Sequence, residues 1–366
     1  MKPKEIFSPE RLTLARQRRG LRVQELAARL EVATRTVTRW EGGHFEPDEN
    51  NLSELSRELG FPPNYFFGDA PPVLADWAFR SLARMTARQR DIALAGGAQA
   101  VALDQYLDDK IARPEFDVPD LRGYKPQDAA LEVRAAWGLG YRPSPNLVHL
   151  LESKGVRVYS LVHDGAEFDA FSVWHGGIPF VFLNTTVTPE RSRMDAAHEL
   201  GHLVLHAHTG GGSSKVENDE AHGFAAAFLM PAAQFLATAP QRITLATVIE
   251  AKQRWGVSAL NYVRRLYTLN RITEWQYKSL TIDIKTRYRK TEPGPPRAPE
   301  ASKVLAWVFS SAESGISRKD VVQHLRIPMN DLDEMTFGLT LTSISGGAGA
   351  APQMHPEEKP NLRLVK

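Results

Sequence analysis

Two histidines four residues apart, the first followed at once by a glutamate, constrain this chain more than any other feature: His198-Glu199-Leu200-Gly201-His202 is an H-E-x-x-H run. On a helix that spacing is one turn, so both imidazoles reach a single ion. Glu199 then lies beside them to take a proton from metal-bound water. Met194, Ala197, Leu200, Gly201, Val204 and Leu205 make the segment a mostly buried helix. A buried His-Glu-His cluster without an ion would strand polar atoms away from water. The competing assignment is a pair of histidines satisfied by ordinary hydrogen bonds. The chain contains no cysteine, which excludes disulfides, thiolate catalysis and cysteine-liganded zinc, leaving His, Asp and Glu as side-chain ligands.

A tetrahedral catalytic Zn2+ takes a third protein ligand and keeps one position open for water. The candidates lie at the start of the next helical stretch, Glu217 to Pro231, whose apolar face is Ala221, Phe224, Ala225 and Phe228. Acidic residues one turn before that face point into the same cleft as the histidines, so Glu217 and Glu220 both qualify and Asp219 faces away. His206 and His208 are expected to be solvated bystanders.

At 366 residues the chain exceeds what one hydrophobic core usually covers, and 42% hydrophobic with 24% charged residues is the composition of a globular protein. Breaker clusters at Pro62-Pro63, Gly68 to Pro72, Pro293 to Pro299 and Gly346 to Pro352 divide it. The expected layout is a head over 1–68, a helical connector over 69–124, a middle domain carrying the H-E-x-x-H run over 125–240 and a helical extension over 241–292. A Pro-rich linker over 293–300, a small helical unit over 301–342 and a disordered tail over 343–366 follow. Most segments carry apolar residues at spacings of three and four, so the fold class is mainly α with a small β-sheet, an α+β arrangement. The exceptions are the alternating stretch 156–161 and a hairpin over 171–184 turning at Gly176-Gly177. The strand Phe180-Val181-Phe182-Leu183 is either ordinary core or an edge for an extended substrate. No run approaches the length of a membrane span, and MKPKEIFSPE lacks the apolar core of a signal peptide, so a cytoplasmic address without membrane contact is expected.

The formal net charge is only +2, but the first 40 residues hold ten Lys/Arg against four Asp/Glu, which points to an anionic partner at that end. There a helix built on Leu12, Leu14 and Ala15 is followed by Gln24 to Leu30, a short turn, and Thr34 to Glu41. Leu26, Ala27, Leu30, Val32, Val37 and Trp40 can share one core, and Ala27 is small enough for two helices to cross closely. This is helix-turn-helix logic, in which the second helix enters the major groove of double-stranded DNA. Thr34, Arg35, Thr36, Thr38 and Arg39 face outward and can donate to base edges or phosphates. Gln24 can cap its helix or touch a phosphate. A generic bundle with a solvated basic face would show a similar pattern.

The run from Leu26 through Val37-Thr38-Arg39-Trp40-Glu41-Gly42-Gly43 to Pro47 resembles the Cro/lambda-repressor-like (Xre) helix-turn-helix family over about residues 8–67. Asp169-Ala170-Phe171-Ser172, Pro179 to Asn184, Arg191 to His206, and Ala221-His222-Gly223-Phe224-Ala225 with Leu229-Met230-Pro231 resemble the ImmA/IrrE family of metallo-endopeptidases over about residues 125–235. The resemblance implies a sheet before the H-E-x-x-H helix, a zinc ligand Glu on the following helix, and Glu199 as general base for peptide hydrolysis. In the family pattern the ligand Glu sits three residues before the Ala of Ala-x-x-Phe-Ala. Here that position is Asn218, with Glu217 one residue away.

Together these features imply a transcription regulator, expected as a homodimer on DNA, with a zinc-dependent endopeptidase-like domain that cleaves a regulatory protein such as a repressor or responds to a signal. The alternative is a non-catalytic repressor that uses the zincin-like domain as a ligand or partner sensor. The basic end at Lys285, Arg287, Arg289 and Lys290 is either a second nucleic-acid contact or a solvated face, and the segment 301–340 resembles a small helix-turn-helix unit.

Overall fold

The computed structural model describes residues 6–74, 85–162, 170–206, 215–288 and 292–338, together with the backbone of Arg363–Leu364. The chain divides into two compact units. One contains 1–114, 159–168 and 302–366, and the other contains 115–158 and 169–301.

In the first unit, α1 (Pro9–Arg18), α2 (Val23–Arg29), α3 (Thr34–Glu41) and α4 (Glu49–Leu59) form the head. The starts are set by local chemistry: the Ser8 hydroxyl accepts from the Arg11 amide with Pro9 at the first helical position, and the Asp48 carboxylate accepts from the Asn51 amide. Gly60 ends α4 in the left-handed conformation before Phe61-Pro62-Pro63. Leu12, Ala15, Leu26, Ala27, Val37, Trp40, Leu55 and Leu59 are all buried in the head's core. Arg16 donates from Nε and Nη2 to both carboxylate oxygens of Glu41, 2.6 and 2.9 Å, tying α1 to the end of α3.

A long helix, α5 (Ala87–Asp108), packs on α1 and is buried along most of its length. Thr86 and Gln89 close a capping box at its start, ten residues before the Gly96-Gly97 pair where the sequence pattern begins to read as helix. Three C-terminal helices, at Lys303–Ser310, Arg318–Leu325 and Met329–Met335, belong to the same unit. They meet the head through polar contacts. Arg19 Nη1 donates to Asp331 at 2.9 Å, Arg18 pairs with Glu334, Gln99 bridges Arg18 and Asp331, and Arg326 donates to the carbonyls of Asn64 and Phe67. Of the tail at 343–366, only the strand Arg363–Leu364 lies within the described residues, and it pairs antiparallel with β1 (Ile111–Ala112).

The second unit is built around α8 (Pro189–Leu205) and α9 (Lys215–Leu229), with α6 (Pro126–Ala136) and α7 (Leu147–Ser153) packed on them. The chain continues through α10 (Ala232–Thr238), α11 (Leu245–Trp255), α12 (Ala259–Thr268) and α13 (Glu274–Arg287). The helices α8 and α9 approach closely because Gly201 has no side chain. A Cβ there would stand 3.1 Å from the Cα and carbonyl oxygen of Ala221. Strands β2 (Arg157–Ser160), β3 (Phe171–His175) and β4 (Ile178–Leu183) form a three-stranded sheet in the order β2-β4-β3. The β3–β4 hairpin turns at Gly176 and Gly177, both at positive φ, and registers Phe171 opposite Phe182 and Val173 opposite Phe180. The mainly α fold with a small sheet is therefore what the chain adopts.

Buried arginines tie this unit together. Arg134 donates to the carbonyls of Gly140, Phe228 and Arg142. Arg193 reaches the carbonyls of Ser144 and Pro145 and pairs with Glu300. Glu300, from the Pro-rich segment, is thus buried against the middle of the chain.

Candidate functional site

On the head, the outward face of α3 is where the helical period puts it. Thr34, Arg35, Thr38 and Arg39 are exposed, Thr36 is half-buried, and Val37 and Trp40 point into the core. Gln24 is exposed at the start of α2. Glu31, at φ 53, makes the turn that aims α3 away from α2. Arg39 lies over the Phe45 ring at 5.3 Å, which fixes the base of its side chain without consuming its donors. Neither Arg35 nor Arg39 forms an ion pair among the described residues.

In the second unit, Pro189 and the Thr188 cap start α8, and its apolar stripe sinks Met194, Ala197, Leu200 and Val204 into the core. His198 and His202 then stand one turn apart on the same face, their Nε2 atoms 3.1 Å from each other and their rings nearly perpendicular. Burial is the first cause that holds His202 well below the usual histidine range. The neighbouring His198 and His206 lower it further, and a hydrogen bond with Asn218 works in the opposite direction. Glu199 is 3% exposed, and its Oε2 accepts from the Ser172 hydroxyl of β3 at 2.7 Å. A strand residue therefore fixes the orientation of the glutamate.

A second chain of contacts leads away from the pair. His202 Nδ1 and His206 Nδ1 are 3.1 Å apart, and His206 Nε2 lies 3.0 Å from Glu220 Oε2. His206, expected as a bystander, instead backs His202 from the side opposite His198. Glu220, expected as an alternative ligand, has its carboxylate at His206. Its i,i+4 spacing from His202 on a helix is the sequence signal that could have revealed His206. His208 lies outside the described residues.

Among the described residues no group of three His, Asp or Glu side chains is arranged to hold an ion. On α9 the Glu220 carboxylate lies at His206, and the Asn218 side chain hydrogen-bonds with His202. The two imidazoles fit a divalent ion. Asn218 beside His202 offers an amide, a weaker donor to zinc than a carboxylate.

The strand Phe180–Leu183 has no edge to offer a substrate, because β4 is the central strand of the sheet. The outer strands are β2 and β3. At the end of α13, Lys285 and Arg287 are exposed, while Arg289 and Lys290 fall outside the described residues. No described helix is long and apolar enough to cross a membrane.

Comparison with known families matches this geometry. Residues 12–66 match the model of a helix-turn-helix family, and residues 151–267 match the model of the IrrE N-terminal-like domain. No curated protein matches the chain. The chain thus joins a region similar to helix-turn-helix domains, at 12–66, to a region similar to the IrrE N-terminal-like domain, at 151–267.

Proposed function

We propose that this regulator binds operator DNA through α3 as a homodimer, and that its IrrE-like domain is a zinc-dependent endopeptidase unit acting on a regulatory protein. The observation that carries the metal reading is the facing Nε2 atoms of His198 and His202, 3.1 Å apart. Two nitrogens at roughly 2.0–2.1 Å from one tetrahedral zinc would stand about that far from each other. When bound there, zinc would supply Lewis acidity towards a peptide carbonyl and a water of lowered pKa. The chain's own residues do the rest. Glu199 is the proton acceptor, Ser172 holds its carboxylate, and His206 with Glu220 orients His202. The outer edge of β3, the strand that carries Ser172, suits an extended peptide.

Asn218 favours a second reading, in which the domain senses a ligand or partner without hydrolysis. Metal analysis of the purified chain, paired with Glu199→Gln, separates the two. An active peptidase carries zinc, and the variant keeps the zinc but loses cleavage and the regulatory response. Zinc-free protein, or a variant that regulates as the parent does, contradicts the enzymatic reading.

A further inference from the structure

The second unit contains a cavity of about 190 Å³ between α6, the start of α8, α9 and α12, and its polar lining is dominated by donors. Arg264, Arg265, Asn261, Gln127 and Thr268 face it. Arg265 is the informative residue because the other buried arginines of this unit show what a purely structural one looks like. Arg134 spends its guanidinium on three carbonyls, and Arg193 on two carbonyls, a serine and a glutamate. Arg265 is 3% exposed yet makes a single bond, from Nε to the Met230 carbonyl at 3.0 Å. Its two terminal amino groups have no acceptor among the described residues, and no carboxylate pairs with it. Burying a guanidinium without a counter-charge is costly, and burial lowers its affinity for a proton to a pKa of about 10. Arg264 adds a second cation beside it, also without an ion pair among the described residues. Asp219, on the rim, is the one acid of the lining and leaves a net positive site.

We propose that this cavity binds the oxyanion group of a small molecule, a carboxylate or a phosphate, through Arg265 and Arg264, with Asn261, Gln127 and Thr268 as neutral donors. The terminal N–H groups of Arg265 are set in a fixed fork, the geometry that a carboxylate or phosphate accepts two bonds from. His222, which also lines the cavity, has its ring 6.4 Å from that of His198, so a bound anion sits next to the histidine pair. The site does not rest on peptide hydrolysis and stands whether or not the domain is catalytic.

Calorimetric titration of the full chain with inorganic phosphate, and separately with acetate and succinate, at constant ionic strength tests this. At least one of the three should bind saturably with one site per chain, and the arm that binds identifies phosphate or carboxylate as the ligand class. Arg265→Met should weaken binding roughly tenfold or more, and so should Arg264→Gln, an exposed position that leaves folding untouched. The same titration in EDTA should give the same affinity. No saturable binding of any of the three, equal binding by Arg264→Gln and the parent, or binding abolished by EDTA, which would put the anion on a metal, each overturns the proposal.

Discussion

In the proposed function, α3 and α8 present their side chains in opposite ways. α3 exposes its working side chains: Val37 and Trp40 anchor one face, and Thr34, Arg35, Thr38 and Arg39 follow on the other from helical periodicity alone. α8 buries Glu199 and half-buries its histidines, whose contacts come from β3 and α9: Ser172 against Glu199, Asn218 against His202, Glu220 against His206. A site on an exposed face is determined locally. A buried site is determined by which residues the tertiary fold brings to it.

That contrast can be broken at several points. Trp40→Ala removes the anchor under α3 and should cost about 3–5 kcal/mol, lowering the urea midpoint of the first unit and abolishing DNA binding with it. Gly201→Val forces side-chain atoms against the Ala221 backbone and should cost about 1–3 kcal/mol by the same measurement, separating α8 from α9 while DNA affinity is retained. Arg35→Ala and Arg39→Ala should each weaken operator binding by about 1–3 kcal/mol if they read bases, or reduce the salt slope by about one if they bind phosphates, with stability unchanged in either case. Unchanged gel-shift affinity for both would remove α3 from the groove. His206→Ala should weaken metal binding by about 10–100-fold in a chelator competition, as loss of an orienting partner does, although His206 is not itself a ligand.

The smallest effect is on pH dependence. His222 has its pKa lowered to about 4, by burial first and by the Arg264 and His198 charges next, and His202 is lowered in the same direction. The unfolded chain takes up these protons near 6.5 while the folded chain does not. The stability they contribute is complete above about pH 6.5 and is lost as pH falls towards 4. Urea midpoints at pH 7.5 and 5 should show the loss, and His222→Gln should flatten it.

The sequence made the helical framework, the hairpin with its Gly176-Gly177 turn and the α3 face legible because each is set by residues within a few positions of one another. The H-E-x-x-H pair was legible for the same reason, since one helical turn relates His198 to His202. The start of α5 was obscured by Gly96 and Gly97, residues that break helices in isolation and are held here by burial. The contacts of Ser172, Asn218 and Glu220 were not legible, because they join elements whose relative phase only packing determines. The central place of β4 was hidden likewise, since local alternation cannot say which strand takes the middle of a sheet.

The proposed chemistry of this chain turns on whether the imidazoles of α8 grip a common cation. Zinc bound per chain, measured by competition against a fluorescent chelator for the parent and for His202→Ala, asks this directly. One equivalent for the parent and none for the variant is the expected result. Full-length folded protein that takes up no zinc, or a variant that binds as the parent does, would contradict it.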